Sequence, residues 1–113
     1  MKTIRNNNYN FIDLSETIDS GVVDTVSSSI DIRGAISLYI RAEKDTGSIE
    51  GATLTLQTSP DDVNWDDTDH SLVFSNENPL KRNNLPETAR YARIKVTVKS
   101  TIASTADITI QGK

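Results

Sequence analysis

Four separate stretches of this 113-residue chain alternate apolar and polar residues with a period of two. That pattern confines them to strands with one buried and one solvated face. In residues 35–43, Ile36, Leu38, Ile40 and Ala42 fall on one side and Ser37, Tyr39, Arg41 and Glu43 on the other. Residues 52–58 place Ala52, Leu54 and Leu56 inward and Thr53, Thr55 and Gln57 outward. Residues 90–99 set Ala92, Ile94, Val96 and Val98 against Tyr91, Arg93, Lys95, Thr97 and Lys99, and residues 106–111 alternate Ala106, Ile108 and Ile110 with Asp107, Thr109 and Gln111. Gly, Pro, Asn, Asp and Ser mark turns at 44–51, 59–65, 76–84 and 100–104.

The first third is less regular, but residues 10–18 and 21–32 are rich in Val, Ile, Thr and Ser, and strands are expected at 22–26 and 29–32. The one helical turn suggested is 86–89. Short strands separated by polar turns, with no helical period between them, predict an all-β chain. The expected architecture is an antiparallel β-sandwich, jelly-roll or immunoglobulin-like, of about seven to eight short strands.

The length suits one hydrophobic core. Residues 11–113 are expected to form it, and residues 1–10, polar and carrying Asn6, Asn7 and Asn8 in a row, form an N-terminal arm. The arm is read either as a frayed terminus or as a segment that orders against a neighbouring subunit, with Lys2, Arg5, Tyr9 and Phe11 as its contacts. The net charge of −4, from 16 acidic and 12 basic residues, argues against nucleic acid as a partner. The absence of cysteine fits assembly in a reducing compartment. Lys2 and Arg5 are followed by no apolar run of the kind a secretory signal needs, and no stretch approaches the ~20 residues that span a bilayer. No membrane association is expected.

Nucleophilic catalysis needs a nucleophile, a base and an orienting group. With His70 the single histidine, no cysteine, and five scattered glycines that form no phosphate loop, the chain is read as a non-enzyme with no cofactor and no metal. His70 is expected to be an exposed polar residue in the turn before a short strand. The acidic cluster Asp61, Asp62, Asp66, Asp67 and Asp69 has three readings: a solvated turn, a calcium loop, or a carboxylate pair for catalysis. Its spacing lacks the glycine and the distant glutamate of the EF-hand loop. Arg93, Lys95 and Lys99 share one face of the 90–99 strand, with Arg90 close by. They either guard a sheet edge or dock electrostatically onto the acidic loop of an identical copy. Under the docking reading Asp61, Asp62, Asp66, Asp67, Arg93 and Lys95 are candidate inter-subunit contacts.

The segment Leu-Thr-Leu-Gln-Thr-Ser-Pro-Asp-Asp-Val-Asn-Trp at 54–65 resembles a strand followed by Ser-x-Asp-Gly-x-x-Trp, and Ala-Arg-Tyr-Ala-Arg-Ile at 89–94 resembles the strand that accompanies it. Together they are similar to discoidin-type, galactose-binding-like β-sandwiches and to small β-sandwich accessory proteins, of the decoration or cement type, of tailed bacteriophage particles. The resemblance covers about a third of the chain. Its motifs are structural, a tight turn that returns an aromatic and a strand that packs on it, so Trp65 and Tyr91 are expected at the core or its edge. Asp62 stands where glycine is preferred, so the turn either avoids a positive φ or strains to adopt it. A full discoidin domain is longer and often disulfide-closed, so the phage proteins are the nearer likeness.

What that likeness implies is a non-enzymatic virion protein: a phage head decoration or cement protein, assembled in the host cytoplasm. It would bind the major capsid protein or another virion protein and self-associate, as a trimer. The competing expectation is a carbohydrate-binding or host-recognition module of a tail or secreted protein. That reading needs exposed aromatics, and the chain has six in all, Tyr9, Phe11, Tyr39, Trp65, Phe74 and Tyr91.

Overall fold

The computed structural model describes residues 12–75, 77–86 and 89–112. They form eight strands: β1 (Asp13–Asp19), β2 (Ile30–Asp31), β3 (Leu38–Gly47), β4 (Thr53–Ser59), β5 (Asp66–Val73), β6 (Leu80–Leu85), β7 (Tyr91–Val98) and β8 (Ser104–Gly112). There is no helix among the described residues. Two antiparallel four-stranded sheets, ordered β1-β8-β3-β6 and β2-β7-β4-β5, make up the sandwich.

The order has a simple origin. β4 pairs with β5, β3 with β6, β2 with β7 and β1 with β8, so the chain doubles back once, at the β4–β5 turn, into a long hairpin. Rolling that hairpin adds the pairs β3–β8 and β4–β7 and splits it into two sheets. This is a jelly-roll wind, the first of the two sandwich topologies the alternation pattern allows.

The four alternating stretches of the sequence are the four central strands, β3, β4, β7 and β8. A central strand must satisfy neighbours on both sides and a buried face at once, which enforces strict alternation. Leu38, Ile40, Leu54, Leu56, Ile94, Val96, Ile108 and Ile110 all lie in the core, with Leu72 and Phe74 from the β5 segment and Leu80 and Leu85 from β6.

Irregular edges account for the departures from expectation. Residues 76–84 were expected to be a turn, yet Leu80–Leu85 is a strand on β3. Its core residues, Leu80 and Leu85, are an odd number apart because the ladder slips between Leu38 and Ile40, which hides the period. Residues 22–26 are no regular strand: Asp24 has a φ of 70°, and the segment hangs on the edge of β7 through Asp24 N–H to Val96 O (2.9 Å) and Val96 N–H to Thr25 O (2.8 Å), with one bridge from Val26 to Lys95. The 29–32 strand shrinks to Ile30–Asp31. Ile36 precedes β3 and is 82 % exposed rather than inward, and Val98 is turned out by a slip against Thr53. β3 runs on to Gly47, into the expected 44–51 turn. His70 lies within β5, not before it. Residues 1–11, with the candidate contacts Lys2, Arg5, Tyr9 and Phe11, and the middle of the suggested helical turn at 86–89 lie outside the described residues.

Candidate functional site

The β4–β5 turn is organised by two side chains. The Ser59 hydroxyl accepts the amides of Asp61 (3.2 Å) and Asp62 (2.8 Å) and donates to Asp61 Oδ1 (3.0 Å). The Asp61 carboxylate accepts the amides of Val63 (2.9 Å) and Asn64 (2.8 Å) and the Asn64 side-chain amide (2.7 Å). A carboxylate receiving several N–H donors is favoured in its charged form, which holds Asp61 far below the usual carboxylate range even at an exposed position. Asp62 adopts a φ of 65°, the left-handed conformation that a glycine would take without cost. Of the two expectations for this turn, the positive φ is the one realised.

From the turn the chain reaches Trp65 and enters β5. The ladder sets Gln57 beside Asp67 on one side and Arg93 on the other. All three project from the outer face of the sheet, where alternation put Gln57 and Arg93. The buried Gln57 amide donates from Nε2 to Asp67 Oδ1 (2.7 Å) and accepts from Arg93 Nε at Oε1 (2.8 Å). The Arg93 guanidinium lies over the Trp65 ring, 4.2 Å from its centroid. Partial burial lowers the Arg93 pKa from its ordinary value, and the negative charge of Asp62 opposes that shift. Trp65, Arg93, Gln57, Asp67 and Asp62 thus form one latch that fastens the turn to the sheet.

The candidate inter-subunit residues therefore divide. Asp61 works inside its own loop; Asp67 and Arg93 meet through Gln57; and Lys95 pairs with Asp24 (3.3 Å) on the neighbouring edge segment. Asp66 is exposed opposite Thr58. The acidic loop and the basic strand complement each other within one chain. Trp65 and Tyr91 are both half-buried at the rim of the sheet, Tyr91 beneath the Arg90 guanidinium (5.2 Å). Sequence reasoning missed Gln57 as the bridge and Asp24 as the partner of Lys95. Nothing in alternation signals either one, because both depend on cross-strand register.

As to chemistry, among the described residues no three His, Asp or Glu side chains converge as metal ligands. No helix among them is long and apolar enough to cross a membrane.

A second polar cluster sits at the opposite end of the sandwich. Ser20, Ser100 and Ser104 are buried; their hydroxyls link Ser20 to Ser104 (2.5 Å) and Ser100 to Ser104 (2.9 Å), and Ser100 donates to Ile102 O (2.5 Å). Main-chain bonds from Ser20 and Gly21 to Ser104 O and from Ser100 to Ser20 O tie the same three segments. This cluster fastens the end of β1 to the β7–β8 connection.

Compared with known protein-family models and with curated protein sequences, the chain matches none.

Proposed function

We propose that this chain is a non-enzymatic structural protein of a virus particle, a decoration or cement protein that binds the outside of a capsid lattice in several copies. The observation that carries the reading is the jelly-roll strand order, an architecture that viral capsid and lectin domains share. Architecture alone does not assign a role, so the residues must choose between the two. The aromatic of the resemblance motif, Trp65, is covered by its own Arg93, and the polar groups around it are engaged with one another. A sugar-binding platform would present that ring to the ligand, whereas a lattice protein needs the turn locked. Many weak contacts repeated over a lattice reinforce one another, so no single deep site is required.

Co-sedimentation tests this. Purified protein is mixed with capsids assembled from the major capsid protein of the same genome, and saturable binding at a fixed ratio to capsid subunits is expected. Absence of binding, together with retention on immobilised glycans, would overturn the reading in favour of a carbohydrate-binding module.

A further inference from the structure

The sheet β1-β8-β3-β6 ends in two edges of opposite charge. At one edge, the Gly112 N–H donates to Ile12 O (3.0 Å), which sets the phase of the β1–β8 ladder. By the alternation of antiparallel pairing, Asp13, Ser15, Thr17 and Asp19 then direct their main-chain groups away from β8, off the edge. All four side chains are exposed, and the two at the strand's ends are carboxylates. Glu16 turns the other way and takes the amide (2.7 Å) and hydroxyl (2.9 Å) of Ser28. Neither Asp13 nor Asp19 has a cationic partner among the described residues.

At the far edge, β6 exposes Lys81 and Arg82. Lys81 stands directly opposite Arg41 on β3, a like-charge cross-strand pair of the kind that destabilises a sheet. Arg41 is engaged by Glu43 (3.2 Å), but among the described residues no carboxylate lies within ion-pair distance of Lys81 or Arg82. Among the described residues the positive edge has no compensation within its own chain, and neither do the carboxylates at the ends of the negative one.

We propose that β1 of one copy lies along β6 of the next, setting the acidic edge against the basic one with Asp13 or Asp19 meeting Lys81, and that this contact repeats around a closed ring. A second copy is the occupant because each edge finds its complement on the same molecule. A β1–β1 contact would set carboxylates against carboxylates, and a β6–β6 contact cation against cation, so the pairing is heterologous, the kind of contact that makes a ring where the rotation between copies closes. Unpaired strand edges are ready templates for such addition. The contact gives the multivalency that the decoration reading calls for, and only its purpose rests on that reading: the ring is tested on free protein, the reading on particles.

Light scattering at low salt is expected to give a whole-number multiple of the 12.4 kDa chain mass, falling toward the monomer as salt screens the contact. Lys81→Glu with Arg82→Glu, and separately Asp13→Lys with Asp19→Lys, each give monomers with an unchanged β-rich circular dichroism spectrum. The fourfold variant recovers assembly. Zero-length carbodiimide coupling of the unmodified protein joins Asp13 or Asp19 to Lys81 between copies, a readout that needs no variant to fold. A monomer at every salt concentration, double variants that still assemble, or cross-links that avoid this pair would each overturn the proposal.

Discussion

The two ends of the sandwich are closed by opposite means. At the β4–β5 turn the closure is charged and wet: Ser59 and Asp61 collect the turn amides, and Gln57 joins Asp67 to an arginine stacked on Trp65. At the other end it is neutral and dry: three buried serines share hydroxyl bonds beside Gly47, whose φ of 74° brings it against Ala103 and Ser104. Exposed charged contacts contribute little each, because water competes for them. Buried hydroxyls contribute little while satisfied and cost much when orphaned. The serine end should therefore be brittle and the charged end tolerant.

The largest effect is expected at Gly47. A Cβ there would lie 2.0 Å from Ala103 O in a backbone conformation that disfavours side chains. Strain and overpacking together predict that Gly47→Ala costs roughly 3 kcal/mol or more in urea unfolding. A loss under 1 kcal/mol would mean this end is looser than described. Next, Ser104→Val strands the Ser20 hydroxyl, while Ser100 keeps its bond to Ile102 O, and should cost roughly 2 kcal/mol. At the charged end, Trp65→Leu removes the surface under Arg93 and should cost only about 1 kcal/mol.

The smallest change at neutral pH is expected for Asp61→Asn, and its signature is pH dependence. Because the folded pKa of Asp61 is depressed, the contribution of its carboxylate is complete above the ordinary value of 3.8 and fades as pH falls below it. The parent protein should lose thermal stability more steeply than the variant below pH 4. Parallel acid limbs would show that the carboxylate does not hold the turn.

The contrast between the two ends also marks how far residues could be read ahead of structure. The alternation at 52–58 and 90–99 placed Gln57 and Arg93 outward, and the Ser-Pro-Asp-Asp-Val-Asn-Trp run announced the turn that they flank. Their meeting through one amide depends on cross-strand register, to which a period of two is blind. Ser20, Ser100 and Ser104 carried no signal: serines in polar connections are usually solvated, and these are buried only because three distant segments converge. Edge strands were read poorly for a related reason. β6 slips its register between two leucines, and β1 puts Glu16 in an inward position between Leu14 and Ile18, so neither shows clean alternation. The central strands slip against one another only near their ends, at Thr53 and at Lys44 to Thr46, so their alternation stays legible and they were the ones found.

The central claim is that Trp65, Gln57 and Arg93 fasten the acidic turn to the basic strand within one chain. A double-mutant cycle between Trp65→Leu and Arg93→Met, followed by urea unfolding and by light scattering on the same samples, addresses it most directly. The account predicts a coupling of about 0.5–1 kcal/mol between the two positions and an unchanged oligomeric mass. Additive effects on stability, with assembly lost in either single variant, would make Arg93 a docking residue and contradict it.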